Sequence, residues 1–208
     1  MTHVALLGDS VFDNARYVAG GPDVVAQLRE ALGSDGTASL LAVDGDVTGG
    51  VPGQLRRLPP EASHLVVSVG GNDALGFAHL LQQPARTVAD GIRALGAAQE
   101  VFAERYAAML DAVLAVGLPT VVCTIYDTNP AEPGHAVIRS GIALFNDCIT
   151  RAAFARGVPV IDLRLVCDEA ADYANPIEPS VQGGRKIATT IAATVLGRAP
   201  SSPVHRRR

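Results

Sequence analysis

The sequence predicts a three-layer α/β/α sandwich around a five-stranded parallel sheet. Short apolar runs alternate with longer amphipathic ones along the whole chain, the pattern of a layered α/β fold. The short runs are also nearly continuous in Val, Leu and Ile. That composition suits strands covered on both faces by helices and not strands with one wet face. A third observation sets the domain count. At 208 residues with 48% hydrophobic and 18% charged side chains, the chain can bury one sizeable core and is not disordered.

The first strand is expected over residues 3–7, His-Val-Ala-Leu-Leu. A helix follows over 22–32, with apolar residues at helical spacing and Gly33 as its stop. Strand two is expected at 38–43, then a short helix at 50–58 ended by Pro59-Pro60. Strand three is expected at 64–69. One long helix is expected over 88–116, with a break near Gly96 and an end at Gly117-Leu-Pro119. Strand four is expected at 120–125, a helix at 139–156 stopped by Gly157, strand five at 158–162, and a last helix at 183–196. Five strands in strict alternation with helices give a sheet of flavodoxin-like type. Residues 1–198 read as one domain, and 199–208, ending Arg206-Arg207-Arg208, as a frayed basic tail.

Charge and cysteine usage narrow the function. A formal net charge of -4 gives no field for holding nucleic acid or an anionic membrane. No apolar run reaches the roughly 18 residues of a membrane span. The start, Met-Thr-His-Val-Ala-Leu-Leu-Gly-Asp-Ser, lacks the basic flank of a signal peptide, so a cytoplasmic protein is expected. Cys123, Cys148 and Cys167 lack metal spacing and read as buried small hydrophobes. No phosphate-binding glycine motif and no metal-ligand cluster stands in the sequence, so neither a cofactor nor a metal is expected.

In open α/β sheets the reactive positions lie at the carboxyl ends of the strands. Strand one runs into Gly8-Asp9-Ser10, strand two into Asp44-Gly45-Asp46, and strand three into Gly70-Gly71-Asn72-Asp73. Ser10, at the head of an expected short helix, points a hydroxyl at the crevice. Taken alone it reads as an N-cap. Gly45 lets backbone approach a substrate, and Asn72 supplies a side-chain amide donor; taken alone both read as turn residues. Together, in this order, they can surround an anion forming on a bound carbonyl.

Those residues carry a resemblance. Gly8-Asp9-Ser10 with Asp13-Asn14 resembles the first block of the SGNH (GDSL-type) hydrolases, Asp44-Gly45-Asp46 their second, and Gly70-Gly71-Asn72-Asp73 their third. Leu144-Phe145-Asn146 through Asp162 is similar to the family's later helix and fifth strand. The resemblance implies an α/β/α fold and hydrolysis of a small-molecule ester through an acyl-serine. By position it makes Ser10 the nucleophile, and the Ser10 and Gly45 amides with the Asn72 side chain the oxyanion hole. The chain departs at the fourth block. Where the family has Asp-x-x-His-Pro, this sequence has Asn175-Pro-Ile-Glu178-Pro.

The expected base is therefore Glu178, with Asn175 bonding its carboxylate. A glutamate is weaker than histidine by roughly two pKa units unless burial raises it. The other candidate base is His135, in the loop 126–136 after strand four; His79 is a third. His3 and His64 begin strands at the wrong end of the sheet. Asp9 and Asp73 are expected to hold loops in register, and Asp127 to cap a turn. Two rival functions share this sequence: a binding module that keeps the oxyanion hole but has lost turnover, and an acyl-transfer enzyme using the same serine.

Overall fold

The computed structural model describes residues 1–198 together with 204 and 205. Five parallel strands stand in the order β2-β1-β3-β4-β5: β1 (Thr2–Gly8), β2 (Gly36–Leu40), β3 (His64–Ser68), β4 (Thr120–Cys123) and β5 (Val160–Ile161). The expected α/β/α sandwich is the observed fold. The helices are α1 (Val24–Leu32), α2 (Val51–Leu55), α3 (Gly71–Gly76), α4 (Val88–Leu114), α5 (His135–Ala155) and α6 (Val181–Val195). A two-residue strand β6 (Val204–His205) pairs antiparallel with β5, so part of the expected tail extends the sheet; the rest of 199–208 lies outside the described residues.

Strand periodicity builds the two faces. Val4 and Leu6 of β1 enter one core with Val24, Leu28, Ile187 and Ile191 of α1 and α6. Ala5 and Leu7 enter the other with Phe102, Tyr106, Leu110 and Ile149 of α4 and α5. Successive side chains point to opposite faces, so a strand buried on both sides must be apolar throughout. Asp23 caps α1 by accepting from the Ala26 amide, and Ser180 caps α6 by accepting from Gln182 and Gly183.

Several boundaries differ from expectation for physical reasons. Strand β5 is shorter because Asp162 turns to cap the 3-10 turn at Leu163–Leu165. Residues 41–43 leave β2 because the amides of Leu41 and Ala42 both donate to the Leu6 carbonyl, which breaks the ladder register. Helix α4 runs unbroken through Gly96. Helix α5 begins four residues before the expected start, after Gly134 in the left-handed region with no side-chain cap, so no N-cap signal marks it.

Helix length positions the site. The 27 residues of α4 span about 40 Å and the 21 of α5 about 32 Å. The four residues of β4 between them span only about 13 Å. The helices run parallel, with Gln99 against Leu144 and Arg156 against Asp111. Their N-terminal turns therefore overhang the carboxyl edge of the sheet.

Candidate active site

Gly8 ends β1 with φ 128°, and a Cβ there would lie 1.7 Å from the Ser68 carbonyl oxygen of β3, so only glycine fits. The chain then turns at once. Phe12 and Asp13 both donate to the Asp9 carbonyl, and the Asp9 side chain accepts from the Val11 amide at 3.2 Å. Residues 10–12 form a turn and no helix begins there. The expectation of a helix N-terminus behind Ser10 is thus corrected: any donors beside Ser10 are individual loop amides. Nor is Ser10 a cap, for its Oγ donates to Glu178 Oε1 at 3.0 Å.

The second and third strand ends are tied to the first. Asp13 accepts from the Asp44 amide at 2.9 Å, and Asp44 in turn holds Arg16 at 2.9 Å and the Tyr17 hydroxyl. Gly45 turns the loop at φ 82°. Asn72 donates one amide hydrogen to the Asp46 carbonyl at 2.8 Å, leaving its second hydrogen for the cleft. Asp73 accepts from both the amide and the hydroxyl of Thr48, at 2.9 and 2.8 Å. Asp9 and Asp73 bind backbone of the loops, the register-holding role expected for them, and Asp13 does the same. The backbone amides of Ser10 and Gly45 meet no protein acceptor among the described residues.

Gln54 was not legible in advance. From α2 it accepts from the Gly8 amide at 2.8 Å and donates to the Gly8 carbonyl and to Asp46 Oδ2, both at 2.7 Å. One buried amide thereby fastens strand end one to loop two.

Glu178 is held by its loop's main chain. Asn175 Oδ1 accepts from the Ile177 and Glu178 amides at 3.0 and 2.9 Å. Asn175 does not bond the carboxylate as expected: its oxygen is spent on an Asx turn that fixes the backbone. The Glu178 carbonyl accepts from Ala174 at 2.8 Å, Pro176 from Asn129 at 2.9 Å, Ile177 from the Tyr126 hydroxyl at 2.5 Å, and Pro179 from Asn14 at 3.2 Å. Tyr126 and Asn129 are further residues the sequence did not single out. Their hydrogen bonds run to carbonyls some 50 positions away, which no local pattern announces.

Burial dominates the electrostatics. Glu178 is 6% exposed, and its second oxygen, Oε2, has no partner among the described residues. Burial pushes its carboxyl up to about 7; the Ser10 hydrogen bond pulls the other way and the Asp44 charge adds to the rise. Asp9 is also pushed up to about 7, mainly by burial, with the charges of Glu178 and Asp73 adding to it. The expected two-unit handicap of a glutamate base is thus removed by its surroundings.

His135 opens α5 and its Nδ1 is hydrogen-bonded to Thr128 at 3.1 Å; among the described residues no hydrogen bond joins it to Ser10. His79 is exposed on a 3-10 turn against the Gly76 carbonyl. Ser10, Asn72 and Glu178 line one cavity of about 310 Å³, together with Asp9, Tyr126 and Asp127; Gly45 and His135 are not in its wall. Most of the remaining wall is apolar and comes from α3, the turn after it, the overhanging ends of α4 and α5, Val11, Ile177 and the chain at the ends of β3 and β4; Ser68, Gln82 and Thr128 are its polar members. Asp127 faces this cavity and pairs with Arg139 at 3.6 Å.

Among the described residues, no group of His, Cys, Asp and Glu could hold a metal ion, and no helix is long and apolar enough to cross a membrane. The family described as GDSL-like lipase/acylhydrolase matches residues 6–186. No curated protein sequence matches the chain. Solved structures that resemble it include an extracellular lipase from Streptomyces rimosus (19% identity, 93% of this chain and 99% of that one, TM-score 0.64). Others are an aryl esterase from M. smegmatis (14%, 96% and 100%, 0.63) and a lipase/acylhydrolase from Enterococcus faecalis (20%, 100% and 100%, 0.64). At these identities the structures establish a shared fold.

Proposed function

The chain belongs to the GDSL-like lipase/acylhydrolase family, and on that premise we propose that it hydrolyses carboxylic esters with Ser10 as nucleophile and Glu178 as its base. The observation that carries this reading is the 3.0 Å hydrogen bond from Ser10 Oγ to Glu178 Oε1, made by a buried carboxyl whose pKa of about 7 suits proton transfer near neutrality.

The ester carbonyl sits over Ser10. Oγ attacks the carbonyl carbon while its proton passes to Glu178, so the negative charge moves from the carboxylate to the carbonyl oxygen. The free amides of Ser10 and Gly45 and the second amide hydrogen of Asn72 are the donors suited to that oxygen. On collapse, protonated Glu178 returns its proton to the departing alkoxide, which leaves as alcohol. Water then attacks the acyl-serine with Glu178 again taking a proton, which it returns to Oγ as the acid is released and Ser10 restored. Asn175 is a positioning residue, acting through the backbone that carries Glu178. Three free buried cysteines suit a reducing, cytoplasmic setting.

A fluorophosphonate probe tests the reading directly. Labelling of the wild type, lost in Ser10→Ala together with p-nitrophenyl acetate hydrolysis, is the expected result. An unlabelled wild type with no turnover overturns it and leaves a binding module.

A further inference from the structure

The cavity wall carries an apolar group of Leu81, Leu95, Ile125, Ile138, Ile142 and Phe145, with Gln82, Asp127 and Thr128 as polar members. Ile138, Ile142 and Phe145 recur at helical spacing and so define the face of α5 that looks inward. On that face, and in the wall itself, stands Gly141. Glycine is among the poorest residues for a helix interior. Nothing in the packing demands it: a Cβ at 141 would meet no atom within 4 Å. The missing side chain leaves a notch that belongs to the cavity.

We propose that this cavity houses the acyl chain of the ester and that Gly141 sets its length, admitting an unbranched apolar chain of medium size. The inference rests on the ester-hydrolysis reading. At about 30 Å³ for a water-sized group, 310 Å³ takes about ten such groups, which corresponds to an octanoyl ester head to tail. The acyl part is the better occupant than the alcohol. It stays bonded to Ser10 through both steps, whereas the alcohol must leave after the first. The Leu, Ile and Phe side chains of this wall cannot pair hydroxyl or charged groups set along the chain, so its apolar stretch favours an alkyl chain over an acetylated sugar or a peptide.

The experiment is an acyl-length profile with p-nitrophenyl esters, acetyl to dodecanoyl. For the wild type, kcat/KM should rise by up to roughly fourfold per methylene and turn over near octanoyl. In Gly141→Leu the maximum should move to about butanoyl, because the new side chain takes up the notch. Gly141→Ala should fall between. Gly96→Leu, at an equally open α4 position outside the wall, should keep the wild-type profile. A Gly141→Leu profile identical to wild type overturns the proposal. So does a chain-length dependence that appears in alkyl acetates and not in the acyl series. A second measurement needs no turnover: 1-octanol should displace N-phenyl-1-naphthylamine from Ser10→Ala but not from Ser10→Ala/Gly141→Leu. If no ester is hydrolysed yet this difference holds, the notch stands and the hydrolase reading fails. If both double and single variants release the dye alike, the notch fails on its own.

Discussion

Replacing Glu178 by glutamine isolates the proposed proton acceptor from everything else in the site. The amide has nearly the carboxyl's shape, and its oxygen can still accept from Ser10 at 3.0 Å. What is lost is the capacity to take the proton. General-base removal of this kind lowers rates about 10²–10⁴-fold, so p-nitrophenyl acetate hydrolysis should fall by that factor. The wild-type kcat/KM should rise with pH and level off above about 7, where Glu178 is ionised, and the variant should lose that limb. Stability should move the other way. The folded carboxyl is raised from 4.5 to about 7, so the fold favours its protonated form. The stability it contributes is complete below the unfolded pKa and is lost as pH rises through 7. Glutamine carries no such loss. The variant's melting temperature should therefore match the wild type near pH 4.5 and exceed it above pH 7. Thermal melts at both ends of that window, with rates across it, make the assay. A glutamine variant that keeps the wild-type rate and pH limb would refute Glu178 as base. A melting difference that ignores pH would refute its buried ionisation.

Other substitutions probe the supports. Asn72→Ala should lower kcat about 10²–10³-fold, the usual effect of removing one anion-hole donor, measured by steady-state hydrolysis. Asn175→Ala strips the acceptor from two loop amides and should cost about 1–3 kcal/mol in urea unfolding. It should also lower kcat, while Asn175→Asp, which can accept the same two bonds, restores both. His135→Ala should leave kcat/KM unchanged, because its ring bonds Thr128, a wall residue, and is not itself in the cavity wall; a large loss would return it to candidacy as base.

The sheet was legible because a strand buried on both faces must be apolar throughout, as Val4 to Leu7 and Leu65 to Val67 are. The strand-end residues were legible because loop chemistry collects there. Ser10, Asn72 and Glu178 stand out only together, by their order along the strand ends and the family's blocks, and the structure brings them to one cavity. What stayed hidden was mostly long-range. Gln54, Tyr126 and Asn129 act on backbone far along the chain, and nothing in their neighbourhoods marks them. Helix α3 went unread because Gly-Asn-Asp-Ala-Leu-Gly has weak helix propensity and is held by its surroundings. The role of Asn175 departs from expectation because the family's fourth block has there the residue that orients the base, whereas here an Asx turn satisfies amides instead.

The bonds that fix 174–180 end on main-chain atoms: carbonyls of Pro176, Ile177, Glu178 and Pro179, and the amides that Asn175 receives. None of them reads the side chain at 178. The segment is a mount whose fitting can be exchanged. A lineage can therefore exchange the side chain at 178 by changing a single codon, without rebuilding the frame; if that side chain is the proposed base, the working pH shifts with it.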